Sequence, residues 1–276
     1  MPKAVLCSTG ALITRYNGRD PRLLERIAPY IACDGFELMV YPSWYEGNKL
    51  AVYTDFLRGC GLPFPVLHAD KSVGELLSVG GEENIAEARG RFLTCCRVGQ
   101  AVGSKLMVLH LWGGPASDYH IERNIEELDG FTKLAAEHGI LLTVENVVCA
   151  KRTPLENIKA VLEVCPEAVF TIDTKMAEFH GELKAELDYY PLFGGGHTAH
   201  LHVNDYGGGI RDFSDLRVLH IGQGHVDFAS FFEKVRACGY EGSATVEATS
   251  VRPDGSIAFD MLNSSLARVR RGLFSD

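Results

Sequence analysis

The sequence predicts an α/β fold, a single-domain (β/α)8 barrel over residues 1–276. Its length of 276 residues is close to the about 250 residues that such a barrel typically needs. Eight short runs rich in Val, Leu and Ile are apolar on both faces, which is typical of a parallel sheet covered by helices. From residue 40 onward the predicted strand ends recur about every 34 residues, the length of a strand–helix unit. The eight strands are predicted to end near residues 8, 40, 68, 110, 145, 173, 202 and 247.

The segments between these runs predict helices. Apolar residues recur at helical spacing in residues 85–96 and 228–235. Thr153-Pro154-Leu155-Glu156 is a capping box with proline at the first helical position. Asp20 and Asp227 are further candidate helix starts, and Gly139 and Gly239 are expected to end helices in the left-handed conformation.

An open, doubly wound sheet is the competing architecture. It would favour a GxGxxG turn after the first strand, and CSTGAL does not match that pattern. Two triple glycines, residues 194–196 and 207–209, lie in predicted loops. Either could cradle a phosphate, but a run of glycines is a weak signal. The closed barrel is therefore the prediction.

Composition excludes some classes of partner. The net charge of −9 and the pI near 5.6 disfavour nucleic acid, which needs a positive face. No apolar run is long enough for a membrane span, and MPKAVLCSTG resembles a first strand more than a signal peptide. The eight cysteines are scattered and form no CxxC pair, so we expect reduced thiols in a cytoplasmic protein.

Four chemically reactive side chains stand at successive strand ends: Glu145, Asp173, His202 and Glu247. Because the carboxyl ends of barrel strands meet at one mouth, these side chains are expected to converge. Three carboxylates and one imidazole suit one divalent metal, Mn²⁺, Mg²⁺ or Co²⁺, with Zn²⁺ as a further option. The alternative is that each residue caps a strand or pairs with a loop lysine or arginine.

Further histidines share this geometry. His68 and His110 end predicted strands three and four beside Glu145. They could complete a second metal site, bind a substrate hydroxyl, or be ordinary hydrogen-bonded histidines. His200, two residues before His202, is expected one layer deeper. The other histidines fall on predicted helices or loops and are expected to be solvated: His120, His138, His180, His197, His220 and His225.

The chain resembles the xylose isomerase-like barrel superfamily, which holds sugar isomerases and epimerases, inosose dehydratases and the endonuclease IV type of AP endonuclease (family 2). The resemblance covers essentially the whole chain. It is carried by the ordered Glu-Asp-His-Glu of the last four strands and by IGQGHVDF, which is similar to the family phrase IGxGxID. Other matching segments are DGFELMV, VLHAD, VLHLW, TVEN, TIDT, HLHVND and TVEA.

The resemblance implies a metal-dependent sugar isomerase or ketose 3-epimerase that moves a proton through an enediolate. Glu145 and Glu247 would be both metal ligands and acid/base groups, and Asp173 and His202 would mainly hold the metal. Alternatives are an endonuclease IV-like phosphodiesterase on abasic DNA and an inosose dehydratase-like lyase. Met176, Leu216 and Val218 replace third-metal ligands of the endonucleases, which disfavours that branch. His68 and His110 match its first-metal histidines, so a second metal stays open.

The expected partner is a small sugar or sugar derivative. Glu37 could accept a bond from a sugar hydroxyl, Trp112 could pack on a sugar carbon face, and Arg211 is expected near the substrate because epimerase relatives use a loop arginine there. Together with Lys151 and Arg152, Arg211 would suit a carboxylate or phosphate. Family members often pair through barrel faces, so a homo-oligomer is a further expectation without a diagnostic motif.

Overall fold

A computed structural model describes residues 3–274, and they form a closed barrel of eight parallel strands in chain order. The predicted fold class is therefore confirmed. Each strand pairs with the next, and the eighth pairs with the first through Leu6 and Thr245. The strands are β1 (Val5–Ser8), β2 (Gly35–Met39), β3 (Val66–His68), β4 (Leu106–Leu109), β5 (Leu141–Glu145), β6 (Phe170–Asp173), β7 (Thr198–His202) and β8 (Ser243–Val246).

Helices connect the strands and cover the outside of the barrel. The long ones bury their apolar faces, and three short ones follow one another between β6 and β7. The helices are α1 (Leu23–Ile27), α2 (Lys49–Gly59), α3 (Ser72–Val79), α4 (Glu82–Val102), α5 (Ile121–Glu137), α6 (Pro154–Val164), α7 (Thr174–Phe179), α8 (Leu183–Asp188), α9 (Tyr190–Phe193), α10 (Phe228–Ala237) and α11 (Phe259–Phe274).

The predicted helix boundaries are found where a side chain or a glycine specifies them. Thr153 and Glu156 form the capping box of α6, and the Asp227 carboxylate accepts from the amide of Ser230 at the start of α10. Gly139 and Gly239 have φ angles of 72° and 70°, as left-handed helix ends require. At Asp20 the helix starts later than predicted, because the carboxylate caps a turn by accepting from the Arg22 amide.

Strand alternation arranges the barrel interior in layers. Side chains two residues apart share a face, so the residues before the strand ends lie beneath them. The interior below the strand ends contains a small apolar cluster and four fully buried polar residues, Thr143, Thr171, His200 and Thr245. The Thr143 and Thr171 hydroxyls are 2.7 Å apart. This polar layer is the floor on which the strand-end side chains stand, and it contains His200 as predicted.

Two histidines contradict the expectation of solvation. His180 and His220 are buried, although neither lies in a strand. His180 Nε2 accepts from the Cys149 amide at 3.0 Å, and His220 Nδ1 lies 3.2 Å from Ser265 Oγ. Segments outside the strands can also bury their side chains. The position of a residue in the sequence does not show when this happens.

All eight cysteines are unpaired, and Cys7, Cys95, Cys96 and Cys149 are buried. Burial raises the pKa of the Cys95 thiol to about 12, so it is an inert core group. Within residues 3–274 no helix has the length and apolarity that a bilayer crossing requires. The cytoplasmic location stays a prediction.

Candidate metal centre

The four predicted residues come together at the carboxyl end of the barrel. Glu145, Asp173 and His202 are the last residues of β5, β6 and β7, and Glu247 is the first residue after β8. Each offers one ligand atom, and these atoms all lie within 4.8 Å of one another. His202 Nδ1 lies 3.1 Å from Glu145 Oε1 and 3.3 Å from Glu247 Oε2. The first three are buried, and the Glu247 side chain is 12% exposed, toward the mouth.

The electrostatics of this cluster show an excess of negative charge. Burial raises the pKa of Asp173 to about 6, with the charge of Lys175 opposing this rise and repulsion from Glu247 and Glu145 adding to it. Burial opposes charge on His202 as well, but Glu247, Glu37 and Glu145 together raise the pKa of its imidazole well above its usual value. One imidazolium thus balances several carboxylates, and a divalent cation would satisfy the remainder.

The alternative of loop ion pairs does not describe this arrangement. Within residues 3–274, Glu145 and Glu247 pair only with histidines, and none of the three carboxylates meets a lysine or arginine. Asp173 does cap a helix, since its Oδ1 accepts from the Lys175 amide at 2.7 Å. Its Oδ2 accepts a hydrogen bond from Asn204 Nδ2 at 3.3 Å and is the oxygen of Asp173 that does not cap the helix. The donor set therefore fits a divalent cation of the oxygen-preferring class.

Glu37 supports the cluster from below. It is fully buried, and its Oε2 lies 3.0 Å from His202 Nε2, 3.1 Å from His200 Nε2 and 2.9 Å from Thr245 Oγ1. Burial disfavours its charge, but His202 and His200 outweigh that effect and hold the pKa of Glu37 well below its usual range. An ionised carboxylate only accepts, so His202 Nε2 carries the hydrogen. Its Nδ1 faces the cluster, and a metal bound there would displace the Nδ1 proton and take the lone pair.

One oxygen of Glu37 is left over for the predicted contact with a sugar hydroxyl. Its second oxygen, Oε1, is buried without a hydrogen-bond partner among residues 3–274, and Glu37, His68 and Glu247 form a further group of closely spaced donor atoms. Substrate contact by Glu37 therefore stays a prediction, and its visible role is to orient His202.

Replacing Glu37 with glutamine is expected to weaken metal binding about 10–100-fold, the typical cost of losing a carboxylate that orients a ligand histidine. The glutamine keeps the size but loses the charge that holds His202 Nε2–H. Calorimetric titration of the metal-free variant with Mn²⁺ measures the change. Glu83→Gln, an exposed position on α4, is the matched control, and equal affinities for the two variants would show that Glu37 is structural only.

His68 and His110 form a second group with Glu145. His68 Nδ1 donates to the Ala69 carbonyl at 2.8 Å, which leaves Nε2 facing Glu145 Oε2 at 3.3 Å. His110 Nε2 is 2.7 Å from the same oxygen but has no hydrogen-bonding geometry, and burial lowers the pKa of His110 to about 3. The two imidazoles and the Glu145 carboxylate are close enough to share a cation. All three roles suggested for these histidines remain open, with the geometry favouring the second metal.

Sequence reasoning missed two asparagines that hold the carboxylates in place. Asn204 Nδ2 donates to Glu247 Oε2 at 3.1 Å, and its Oδ1 accepts from the Glu247 amide at 2.8 Å. Asn146 Oδ1 accepts from the Asp173 amide at 2.7 Å. Both lie in the quoted segments HLHVND and TVEN, directly beside or two residues after a predicted ligand. That adjacency was the signal that could have identified them.

The mouth above the cluster contains two adjoining cavities of about 360 and 490 Å³. Glu247 lines the smaller one, His110 and Trp112 line the larger one, and Met176 lines both. Trp112 is fully buried, and its Nε1 donates to the Val148 carbonyl at 3.2 Å. Trp112 lies in the wall of the larger cavity, which is compatible with a sugar packing on it. This packing stays a prediction.

Arg211 lies outside both cavities. Its Nη2 donates to the Ala150 carbonyl at 2.6 Å and to the Cys149 carbonyl at 3.3 Å. The guanidinium thus ties the β7 loop to the β5 loop. A direct role in substrate binding stays a prediction, and in this structure its visible contacts are with the backbone.

The fold and the cluster define an eight-stranded barrel with a candidate divalent-metal centre at its carboxyl end. The chain belongs to the xylose isomerase-like TIM barrel family, whose model matches residues 28–265. This confirms the predicted family. The chain is also similar to the uncharacterized protein MJ1311 of Methanocaldococcus jannaschii. The two are 24% identical over 168 residues, which cover 54% of this chain and 52% of MJ1311. The match thus spans about half the length of that relative.

Solved structures share the fold across the whole barrel. A D-allulose 3-epimerase from Methylomonas sp., solved in complex with D-allulose, is 18% identical with a TM-score of 0.72 and covers 98% of this chain and 97% of its own. The IOLI protein, solved with a bound zinc atom, is 13% identical with a TM-score of 0.71 and covers 98% of both chains. At these identities the likeness establishes the architecture alone.

Proposed function

We propose that the protein is a divalent-metal-dependent isomerase or 3-epimerase of ketoses or related sugar derivatives. The observation that carries this proposal is the convergence of Glu145, Asp173, His202 and Glu247, with their ligand atoms within 4.8 Å, below two cavities at the barrel mouth. Similarity to a barrel that was solved with D-allulose and to one that was solved with zinc supports the substrate class and the metal.

The proposed chemistry is removal and return of a proton on a carbon beside a carbonyl. Glu145, Asp173, His202 and Glu247 would hold the cation, which when bound supplies polarisation of the substrate carbonyl. Glu145 and Glu247 both approach His202 Nδ1, at 3.1 and 3.3 Å, and come from different strands of the barrel. Two carboxylates on separate sides of the substrate carbon allow one to take the proton and the other to return it.

Each carboxylate has the support that this role requires. The Glu247 carboxylate lines the smaller cavity and accepts from Asn204, which fixes its direction while leaving it accessible. The Glu145 carboxylate is buried, and although burial opposes its ionisation, His110 and His202 hold its pKa well below the usual range. Glu145 is thus prepared to be charged before substrate enters.

Deuterium uptake at the carbon beside the carbonyl tests this function. Candidate ketoses are incubated with the Mn²⁺-loaded protein in heavy water, and the products are identified by NMR. Deuterium at that carbon with an inverted or moved hydroxyl is the expected result, and loss of water would assign the inosose dehydratase-like reaction instead. Absence of exchange with the whole ketose and inosose panel would contradict proton transfer.

The phosphodiesterase alternative has one observation in its favour, the His68, His110 and Glu145 group, which would allow two metals. Against it stand the net charge of −9 and the buried thioether of Met176 at a position where the endonucleases are expected to carry a metal ligand. Metal-dependent cleavage of a duplex with one abasic site would reverse the ranking.

A further inference from the structure

Lys175 is a buried cation that the proposed chemistry does not use. It follows Asp173 by two residues and is only 4% exposed, yet it lines the smaller cavity at the barrel mouth. Among residues 3–274, no carboxylate lies within ion-pair distance of its ammonium group and no acceptor takes a hydrogen bond from it, although its charge acts on Asp173 from a longer distance. Lysine is almost never so buried unless it is paired, since removing its charge from water is costly. The missing partner is therefore expected to enter the cavity.

The other charged groups on this cavity do not supply that partner. Lys71 is a second, exposed cation on the same wall. Asp70 is paired with Arg91 at 3.4 Å, and Glu247 belongs to the metal cluster. Glu75 is exposed to solvent at the rim and forms no ion pair within the described residues. The wall thus presents two unpaired ammonium groups, one of them on a buried residue, near the reacting carboxylates.

The basic residues that the sequence suggested for an anion are engaged elsewhere. Arg152 pairs with Glu122 and Arg211 is bound to backbone carbonyls. Neither of them lines the two cavities, nor does the exposed Lys151. If the substrate carries a negative charge, Lys175 and Lys71 are the cations in position to meet it.

We propose that the substrate is a sugar derivative with an anionic substituent, a carboxylate or a phosphate, and that Lys175 binds this group with help from Lys71. This inference rests on the proposed function and narrows its substrate class. A carboxylate or a phosphate accepts charge-assisted hydrogen bonds from an ammonium group. Each such bond contributes enough to change affinity about tenfold or more. Lys175 would thereby select acidic sugars over neutral ones.

The experiment compares three ketoses of equal chain length: D-fructose, D-fructose 6-phosphate and D-fructuronate. Their dissociation constants are measured by calorimetry in the presence of Mn²⁺ for the wild-type protein, Lys175→Met, Lys71→Met and Lys133→Met. Lys133 is an exposed lysine of α5, paired with Asp129, and is the matched control. Methionine keeps the length of the side chain and removes its charge.

The wild-type and Lys133→Met proteins are expected to bind one of the two anionic ketoses at least about tenfold more tightly than D-fructose. Lys175→Met should lose that preference while its affinity for D-fructose changes little, and Lys71→Met should lose part of it. The ketose that shows the preference identifies the anion as phosphate or carboxylate. Equal affinity of the wild type for neutral and anionic ketoses, or a preference that survives in both variants, would overturn the inference.

Two further readouts keep the result decisive. If thermal melting shows that Lys175→Met does not fold, the variant at the exposed Lys71 tests the inference instead. An unchanged anion preference in Lys71→Met then overturns it. Deuterium exchange on the same ketoses separates the two proposals. Exchange without anion preference keeps the proposed function and removes this inference. Anion preference without exchange keeps Lys175 as an anion-binding residue and counts against the proposed proton transfer. Absence of binding by any of the three ketoses counts against both.

Discussion

Replacing Glu247 with glutamine is expected to lower the rate of proton exchange about 10²–10⁴-fold, the contribution of a positioned acid/base group. The carboxylate lines the smaller cavity and lies 3.3 Å from His202 Nδ1, so it is in place to take or return a proton. Glutamine keeps the bond to Asn204 in one orientation but cannot accept a proton. Glu145→Gln is expected to have an effect of the same order.

The measurement is kcat and KM for deuterium exchange at saturating Mn²⁺, so that weaker metal binding does not imitate a catalytic loss. The fall should appear in kcat far more than in KM, because the proton is transferred only in the transition state. Glu163→Gln, at an exposed position of α6, should behave as wild type. A Glu247→Gln protein that keeps exchange within about tenfold of wild type would remove Glu247 from the chemistry.

Removal of the metal is expected to abolish exchange and to lower the thermal stability. A cation that binds only the folded state adds about 4 kcal/mol at a free concentration 1,000 times its Kd. For a domain of this size that corresponds to roughly 8–16 °C in Tm. The physical reason is the excess negative charge of the cluster, whose burial raises the pKa of Asp173 to about 6. Dialysis against a chelator followed by melting and exchange assays measures both effects.

Elemental analysis of the purified protein counts the ions. One equivalent assigns the Glu145, Asp173, His202 and Glu247 site alone, and two equivalents add the site of His68, His110 and Glu145. Restoring the chelated protein with Mn²⁺, Mg²⁺, Co²⁺ or Zn²⁺ in turn ranks the metals. Unchanged activity and Tm after metal has been removed completely would contradict a metal-dependent enzyme.

Much of the candidate site was predictable because it lies at strand ends. A carboxylate or an imidazole that closes an apolar run stands out in the sequence, and barrel geometry requires that such ends share one mouth. Glu145, Asp173 and His202 close their strands as predicted, while His110 and Glu247 lie one residue beyond theirs. Shifts of one residue are within the ordinary uncertainty of element ends.

The loop residues were less predictable, because their surroundings come from distant parts of the chain. Arg211 was expected near the substrate, but its guanidinium meets carbonyls 61 and 62 residues earlier. His180 and His220 were expected in solvent and are buried. The sequence does not mark Lys175 as a site residue, because a lysine at the start of a helix is ordinary and becomes unusual only when its burial is known.

The sequence by itself determined the barrel, the order of its strands and the identity of the strand-end groups, because these depend on local periodicity and on a repeated unit. Only the tertiary structure decided which atoms face one another. It placed Glu37 beneath His202 and Asn204 between Asp173 and Glu247, and it left Lys175 buried without a partner. Those facts depend on contacts between residues far apart in the chain, which a local pattern does not encode.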